Sequence, residues 1–212
     1  GSRAPRSWGD FERALQVALS LSYVALVSRH YVRLSWVQPA PAIAKGGPGP
    51  VAGSSWFHQR RDLWPMLQRA EQARVGGSIG LSDWMMRAAA ALRMRGGQAI
   101  LVTDGMHRPA DFFRAMHILM VRNMELKVVQ VLTRQELHPA RLLQAGVLID
   151  AETGATHQLA YRAQELERAM AAHNEQLVRF CKRHGILFAQ HRIDEPLETF
   201  ITQTLPDRGF LE

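Results

Sequence analysis

The segment Gln98-Ala-Ile-Leu-Val-Thr103, which Asp104 and Gly105 follow, decides the fold of this chain. Its almost continuous apolar run comes directly after Gly96 and Gly97. Such a run is typical of a strand that is buried on both faces of a parallel sheet. The sequence therefore predicts a buried strand at residues 98–103.

Two more strands and two long helices continue the same plan along the chain. Apolar residues predict strands at Glu125 to Leu132 and Ile186 to His191, and helices are predicted at Pro109 to Asn123 and Tyr161 to His184. Strands that alternate with helices argue for a parallel sheet covered by helices on both sides. We therefore predict an α/β fold with a Rossmann-like, mostly parallel sheet flanked by helices.

The N-terminal part of the chain predicts a helix, a strand and a loop. Residues 10–29 have a helical pattern that is apolar nearly all round, so this helix should be deeply buried. Tyr31 to Val37 alternates like a strand, and the Pro- and Gly-rich Gln38 to Ser55 reads as a long loop. Trp56 and Phe57 form either an exposed aromatic patch or an anchor that holds the loop against the core, and the sequence favours the anchor.

Shorter helices and a hairpin complete the predicted organisation. The remaining helices are Asp62 to Arg74, Ser82 to Met94 and Pro196 to Leu205. Asp10 and Ser82 are the residue types that form N-caps. Residues 146–149 and 157–160 flank a turn-like segment and predict a hairpin. We expect a single domain over residues 1–212, with a Pro/Gly-rich loop at 38–55 and a hairpin insertion around 146–160.

Length and composition suit one domain with a substantial core, since 47% of the 212 residues are hydrophobic. The longest apolar stretch, Ala14 to Ser28, falls short of the roughly 20 residues that span a bilayer, and Gln16 and Ser20 interrupt it. No signal-peptide pattern is visible. A lone cysteine, Cys181, fits a reducing compartment and a buried apolar position. We expect a cytoplasmic chain.

The net charge of +7, with 26 Lys and Arg residues, favours anionic partners in principle. The basic residues are scattered, however, and short pairs such as Arg60 with Arg61 and Lys182 with Arg183 lie far apart in the sequence. No phosphate-binding loop of the nucleotide-hydrolase kind is present. We therefore expect a solvated basic surface and no nucleic-acid partner.

Asp104 is the sharpest candidate for a functional residue. It comes where a buried parallel strand ends, and ligands in open α/β sheets bind at the carboxyl ends of the strands. The alternative is that Asp104 caps the turn or the helix that begins near Arg108. The residues alone leave both interpretations open.

The order of several motifs resembles a known family. These motifs are residues 11–26, Leu101-Val-Thr-Asp-Gly105, Val128-Val-Gln-Val-Leu-Thr-Arg-Gln-Glu-Leu137, Leu148-Ile-Asp-Ala-Glu-Thr-Gly154, residues 181–186 and Pro196-Leu-Glu198. Over nearly its whole length the chain resembles the C-terminal region of the bacterial family called domain of unknown function 58. Members of that family have a domain similar to the von Willebrand factor type A domain.

The resemblance implies a metal-ion-dependent adhesion site in degenerate form. Type A domains hold Mg²⁺ with an Asp-x-Ser-x-Ser loop after the first strand, a Thr in a second loop and an Asp in a third. Asp104 matches the third-loop Asp. Ser2 falls at the first Ser, but Ala4 falls at the second. Ser78 reaches the Thr position only in a shifted register, since Ile79 otherwise occupies it. The implied metal candidates are Asp104, Ser78 and Ser2. We expect no cofactor, and Mg²⁺ only if the missing first strand supplies ligands.

That first strand, which the resemblance places at the centre of the sheet, is not recognisable in this chain. Without it, the neighbouring strands would have unpaired backbone groups. Another chain, a rearranged sheet or the N-terminal residues would fill the gap, or the sheet would close with the remaining strands. The sequence does not decide among these alternatives.

For function, the resemblance implies a protein-interaction domain and not an enzyme. Members of the family commonly occur beside MoxR-type AAA+ ATPases, so such an ATPase is the implied partner, in assembly or maturation of other complexes. Relatives often carry upstream membrane segments, which implies a membrane anchor for the full-length protein. The contact surface would hold Asp104, the loop at residues 76–80 and the loop at 38–55. The alternatives are a divalent-metal-dependent hydrolase that uses Asp104 and a basic nucleic-acid-binding domain.

Overall fold

The computed structural model describes residues 7–37, 51–52, 55–73, 79–92, 95–133, 136, 147–149, 156–158 and 163–211. Its helices are α1 (Ser7–Val27), α2 (Leu63–Ala70), α3 (Leu81–Ala90), α4 (Pro109–Met120), α5 (Ala163–Arg183), α6 (Leu197–Thr199) and α7 (Leu205–Asp207). Its strands are β1 (Trp36–Val37), β2 (Val51–Ala52), β3 (Gln98–Thr103), β4 (Glu125–Leu132), β5 (Val147–Ile149), β6 (Thr156–Gln158) and β7 (Leu187–Arg192). A 3-10 turn, Arg60–Asp62, precedes α2, and a π-helical turn, Phe200–Thr204, joins α6 to α7.

A parallel sheet of three strands lies at the centre of the fold. β4 is the middle strand and pairs in parallel with β3 on one side and with β7 on the other. The predicted strands at residues 98–103 and 125–132 are confirmed to the residue, and the third differs by one residue at each end. Every residue of β4 after Glu125 is buried, whereas the last five residues of β3 are only half-buried. Burial on both faces is thus confirmed for β4, and for β3 it is incomplete.

Helices cover both faces of this sheet, as the alternation predicted. Because successive side chains of a strand point to opposite faces, β4 serves two separate cores. Leu126 and Val128 pack with residues of α3, α4 and α5, including the fully buried Phe112. Val129 and Val131 pack with α1 and with the C-terminal helices. The middle strand therefore connects the two helical layers.

Helix α1 begins at Ser7 and buries only one side. Asp10 therefore lies inside the helix, and its prediction as the N-cap is wrong. Val17 and Leu21 are buried against the sheet, whereas Tyr23 is 37% exposed and Val27 is 50% exposed. The prediction of a deeply buried helix is also wrong, because α1 lies on the outside of the sheet and the sheet covers one side of it.

The predicted strand at residues 31–37 does not join the parallel sheet. Only β1 is formed there, and it pairs antiparallel with β2 in a two-stranded ribbon that an isolated bridge between Val32 and Phe57 extends. The predicted loop at residues 38–55 thus contains a strand; residues 38–50 and 53–54 lie outside the described part. Phe57 is 7% exposed and packs with Leu26 and Met66, which confirms it as an anchor. Trp56 is 44% exposed, so that expectation is wrong for Trp56.

A long-range contact caps helix α3, contrary to prediction. The helix begins at Leu81 and ends at Ala90, not at Met94, and Ser82 lies within it. The carboxylate of Asp111 in α4 accepts hydrogen bonds from the backbone N–H of Leu81 at 2.8 Å and of Ser82 at 3.3 Å, and from the Ser82 hydroxyl. Ser82 is therefore a donor to the capping group and not the N-cap itself.

The C-terminal half follows the prediction closely. β5 and β6 pair antiparallel, which confirms the hairpin, although the turn between them lies outside the described residues. α5 stops before Gly185, whose φ of 66° suits a helix end. The predicted final helix is divided into α6, the π-helical turn and α7. No helix in the described ranges is long and apolar enough to cross a membrane.

Candidate functional site

The carboxyl ends of β3, β4 and β7 meet at one edge of the sheet, which we call the rim. The rim consists of the turn at residues 103–107 with Gln130 and Gln190. Thr103 lies opposite Gln130 in the register, and Gln130 lies opposite Gln190. This is the edge at which open α/β sheets bind ligands, and the position of Asp104 there agrees with the sequence prediction.

The turn after β3 is held by its own side chains. The Asp104 carboxylate accepts a hydrogen bond from the backbone N–H of Met106 at 3.0 Å. The hydroxyl of Thr103 accepts one from Gly105 N–H at 3.1 Å and lies 3.2 Å from His107 Nε2. Asp104 thus caps the turn, as the alternative interpretation proposed. Its side chain is nevertheless exposed, so capping and contact with a partner are compatible.

Gly105 allows a close approach that no other residue permits. Its φ is 76°, and an added Cβ would lie 2.7 Å from Nε2 of Gln130. A positive φ disfavours side chains in general, and here the amide of Gln130 occupies the space as well. Glycine at this position lets the turn lie directly on the side chain of the middle strand.

A network of side-chain amides centred on the buried Gln130 supports the turn from below. Gln130, only 1% exposed, donates from Nε2 to the carbonyl oxygen of Asp104 at 3.0 Å and to Oδ1 of Asn174 at 2.9 Å. Gln190 donates to Oε1 of Gln130 at 3.0 Å. His173 Nε2 lies 2.7 Å from the Gly105 carbonyl oxygen; since a carbonyl only accepts, Nε2 is the donor. The network fixes the backbone that directly follows the Asp104 side chain.

Sequence reasoning missed these supporting residues. One signal was present: Gln130 is a polar residue inside the otherwise apolar half of β4, and a buried amide needs partners. The partners themselves, Asn174 and His173 on α5, are far away in the sequence. Only the packing of α5 on the sheet brings them to the rim.

Other carboxylates near the rim also accept hydrogen bonds from backbone N–H groups. Glu136 Oε2 accepts from the backbone N–H of Thr133, after the end of β4, at 2.7 Å. Burial raises the pKa of Asp111, but hydrogen bonds from Ser82 and Leu81, together with His107 nearby, outweigh burial and leave that pKa below 3.8. Asp111 is therefore ionised at neutral pH as the cap of α3.

The implied metal site is only partly within the described chain. Asp104 offers the hard oxygen ligand that Mg²⁺ prefers. Ser2 and Ser78 lie outside the described residues, so the structure does not bring them together with Asp104. Within the described ranges, no three His, Cys, Asp or Glu side chains are grouped closely enough to hold a metal ion. Asp104 by itself does not make a metal site.

Two buried titratable groups lie away from the turn. Cys181 is fully buried, as predicted, and burial raises the pKa of its thiol to about 12. His191, also fully buried, has no hydrogen-bond partner on either ring nitrogen among the residues that the structure describes. Burial, followed by the nearby charge of Arg13, lowers the pKa of His191. Both side chains are uncharged at neutral pH.

Comparison with protein-family models, with curated proteins and with solved structures found no match for this chain. The resemblance to a known family accordingly depends on the motifs quoted above.

Proposed function

We propose that this chain is a von Willebrand factor A-like protein-interaction domain of the family called domain of unknown function 58, and that the rim is its contact surface. The described architecture is consistent with this proposal, because a parallel sheet flanked by helices presents its strand ends at one edge. The partner that the resemblance implies is a MoxR-type AAA+ ATPase, in assembly or maturation of other complexes.

The observation that carries the proposal is the fixed position of an exposed carboxylate. Asp104 is exposed, while Gln130 and His173 hold the carbonyl groups of Asp104 and Gly105. Association costs less when the contacting groups are ordered beforehand. Asp104 is therefore suited to meet a cationic group of a partner without rearrangement of the turn.

Under this proposal, Mg²⁺ would act only as an ion that bridges Asp104 and a carboxylate of the partner. If a strand outside the described residues supplies further oxygen ligands, Asp104 with Ser78 and Ser2 would form the adhesion-site ligand set. A bound Mg²⁺ keeps exchangeable water ligands, and a partner carboxylate can replace one of them. In the absence of such a strand, the contact is a direct one between Asp104 and a basic side chain.

The test is binding of the purified chain to a purified MoxR-type ATPase from the same organism. Asp104→Asn keeps an oxygen that accepts the Met106 N–H and removes the charge, so the turn should stay folded. We expect this variant to bind at least about tenfold more weakly, a loss of about 1.4 kcal/mol. Binding is measured by titration calorimetry, with and without Mg²⁺.

Asp207→Asn is the matched control for this experiment. Asp207 is an exposed carboxylate at the end of α7, close to Gly209. The carbonyl oxygen of Gly209 accepts a hydrogen bond from Lys127 near the amino end of β4, so Asp207 belongs to the end of the sheet opposite the rim. The control should bind like the wild type. Equal affinity of the wild type and Asp104→Asn would remove the rim from the proposal.

A further inference from the structure

The short antiparallel bridge next to α1 has an inner and an outer face. Val32 and Phe57 exchange backbone hydrogen bonds of 2.7 Å and 2.8 Å, and both side chains pack into the core with Leu26 and Met66. Because side chains alternate along a strand, the residues on either side of Val32 and Phe57 point away from that core. We call these four residues, Tyr31, Arg33, Trp56 and His58, the ribbon face.

Two cross-strand pairs form the ribbon face. The rings of Tyr31 and His58 are stacked, with centroids 5.1 Å apart and planes within 13°. The guanidinium of Arg33 lies 6.0 Å from the centroid of the Trp56 ring. Tyr31 is 69% exposed and Trp56 is 44% exposed. The ribbon face therefore presents two flat aromatic groups to solvent, each already in contact with a cationic or titratable neighbour.

A cleft of about 490 Å³ adjoins the ribbon face at His58. Its lining residues are Leu26, Val27, Arg29, His58, Gln59 and Arg60. The half-exposed side chain of Val27 provides apolar surface, and both arginines are exposed. The cleft combines an apolar wall with positive charge.

An acidic residue, Asp62, lies beside His58 at the cleft. Asp62 Oδ2 accepts hydrogen bonds from the backbone N–H of His58 and of Gln59, each at 3.0 Å. These two hydrogen bonds, that of His58 first, lower the pKa of Asp62. The ionised Asp62 therefore stabilises the start of the 3-10 turn, and its single negative charge offsets only part of the positive charge of Arg29 and Arg60.

We propose that the ribbon face and the cleft bind single-stranded nucleic acid. Bases stack on Tyr31 and Trp56, and phosphates pair with Arg29 and Arg60. Aromatic platforms beside a basic groove are how proteins hold single strands, because unpaired bases have free flat faces. A duplex does not offer these faces, and the net charge of +7 assists the approach of a polyanion.

An anionic membrane fits the same surface less well. Insertion into a membrane needs exposed apolar side chains, and of the two aliphatic residues in the cleft only Val27, 50% exposed, offers one, since Leu26 is 1% exposed. The aromatic rings that do reach solvent have His58 and Arg33 against them, which favours stacking over insertion. The scattered basic residues of the sequence argued against nucleic acid, but the fold brings Arg29 and Arg60 to one cleft.

The test uses fluorescence anisotropy of a labelled oligothymidine of about 16 nucleotides with the full chain. Tyr31→Ala should weaken binding about tenfold through loss of base stacking, whereas Tyr31→Phe should stay within about twofold. Affinity should fall steeply between about 50 and about 200 mM salt, because phosphate contacts release counterions. Circular dichroism checks that each variant is folded.

Charge-reversal variants distinguish binding at this surface from a general attraction by the net charge of the protein. The pair Arg29→Glu with Arg60→Glu should abolish binding, whereas Arg168→Glu with Arg179→Glu on α5 changes the net charge equally and should weaken binding only slightly. Equal losses in the two pairs, an unaltered affinity of Tyr31→Ala, or no binding at the lower salt concentration would each overturn the proposal. So would binding to phosphatidylserine vesicles in the absence of oligothymidine binding.

Discussion

At the scale of single residues, the rim depends on the contact between Gly105 and Gln130. Gly105 has the positive φ that the turn requires, and Gln130 has the hydrogen bonds that hold the turn against β4. Neither residue contacts the exposed carboxylate of Asp104 directly in this arrangement; they determine the path of the backbone that carries it. Changes at these positions should therefore be measurable first as changes in stability.

We expect Gly105→Ala to destabilise the protein by at least about 2 kcal/mol. A left-handed backbone costs an alanine about 1–2 kcal/mol, and the new Cβ, 2.7 Å from Gln130 Nε2, would displace a hydrogen-bonded amide. Gly185→Ala is the control, since its φ is 66° and nothing lies within 4 Å of its added Cβ. It should lose about 1 kcal/mol in urea unfolding. Equal losses for the two variants would show that the contact with Gln130 is not tight.

His191 makes stability depend on pH. Its pKa in the folded protein is lowered, by burial first and then by Arg13, although Glu195 and Asp194 oppose this. The unfolded chain therefore binds the proton more tightly. Stability should be fully present above the ordinary pKa of 6.5 and should fall as pH drops below it, by up to about 1.4 kcal/mol per pH unit.

The measurement is urea unfolding at several values between about pH 7 and about pH 5. His191→Leu should remove this part of the pH dependence, because the buried ring that must stay uncharged is gone. His30→Leu, at an exposed position, should leave it unchanged. An unaltered slope for His191→Leu would contradict the assignment.

At this scale, the sequence was sufficient to identify Asp104 as a candidate residue, but not to identify the residues that hold its turn. An acidic residue directly after a buried strand has a position that the local pattern fixes. The side chains that hold its backbone come from Gln130, Asn174 and His173, and their meeting is a matter of long-range packing. The burial of Cys181 was predictable for a simpler reason, since a lone cysteine on an amphipathic helix is usually a small buried apolar residue.

At the scale of elements, the most informative case is α1. Its sequence is apolar on nearly all sides, yet it packs on the sheet through one side only. Val17 is fully buried, and Val27 in the same helix is 50% exposed. Composition cannot tell which apolar residues of such a helix meet the core, because that depends on where the sheet lies.

We expect Val17→Ala to cost about 2 kcal/mol, from two lost methyl groups and the cavity they leave. Val27→Ala removes the same atoms at an exposed position and should stay within about 0.5 kcal/mol of the wild type. Thermal and urea unfolding of both variants give the comparison. Equal stability of the two variants would mean that α1 does not pack on the sheet in this orientation.

The three strands of the parallel sheet were predictable to within one residue, but the helix caps and the ribbon were not. Buried parallel strands are recognisable because both faces are apolar, so Gln98–Thr103 and Glu125–Leu132 stand out locally. The cap of α3 is Asp111, which comes from the following helix, so local pattern reading chose Ser82 instead. β1 is only two residues long, and alternation around it does not reveal that its partner is β2.

At the scale of the whole molecule, the edge of the sheet at β3 bears most directly on the proposed fold family. Within the described residues, β3 has β4 as its only strand neighbour. The proposed von Willebrand factor A identity calls for a further strand beside β3. The described N-terminal residues do not provide it, because the chain is helical from Ser7 to Val27. A strand from elsewhere would also bring any additional metal ligands close to Asp104.

The two proposed surfaces differ in chemistry. The rim presents a carboxylate at the end of the parallel sheet, and the ribbon face presents aromatic rings and arginines beside α1. The variants proposed for one surface leave the residues of the other unchanged. Asp104→Asn should therefore leave oligothymidine binding intact, and Tyr31→Ala should leave binding to the ATPase intact.

The rim depends on β4 lying between β3 and β7 with all three strands parallel, since this brings Thr103, Gln130 and Gln190 to one edge. Nuclear Overhauser contacts between backbone amides test this arrangement most directly. We predict contacts on both sides of β4, in the register that places Val129 opposite Val102 and opposite Ala189. Contacts in an antiparallel register, or direct contacts between β3 and β7, would contradict it.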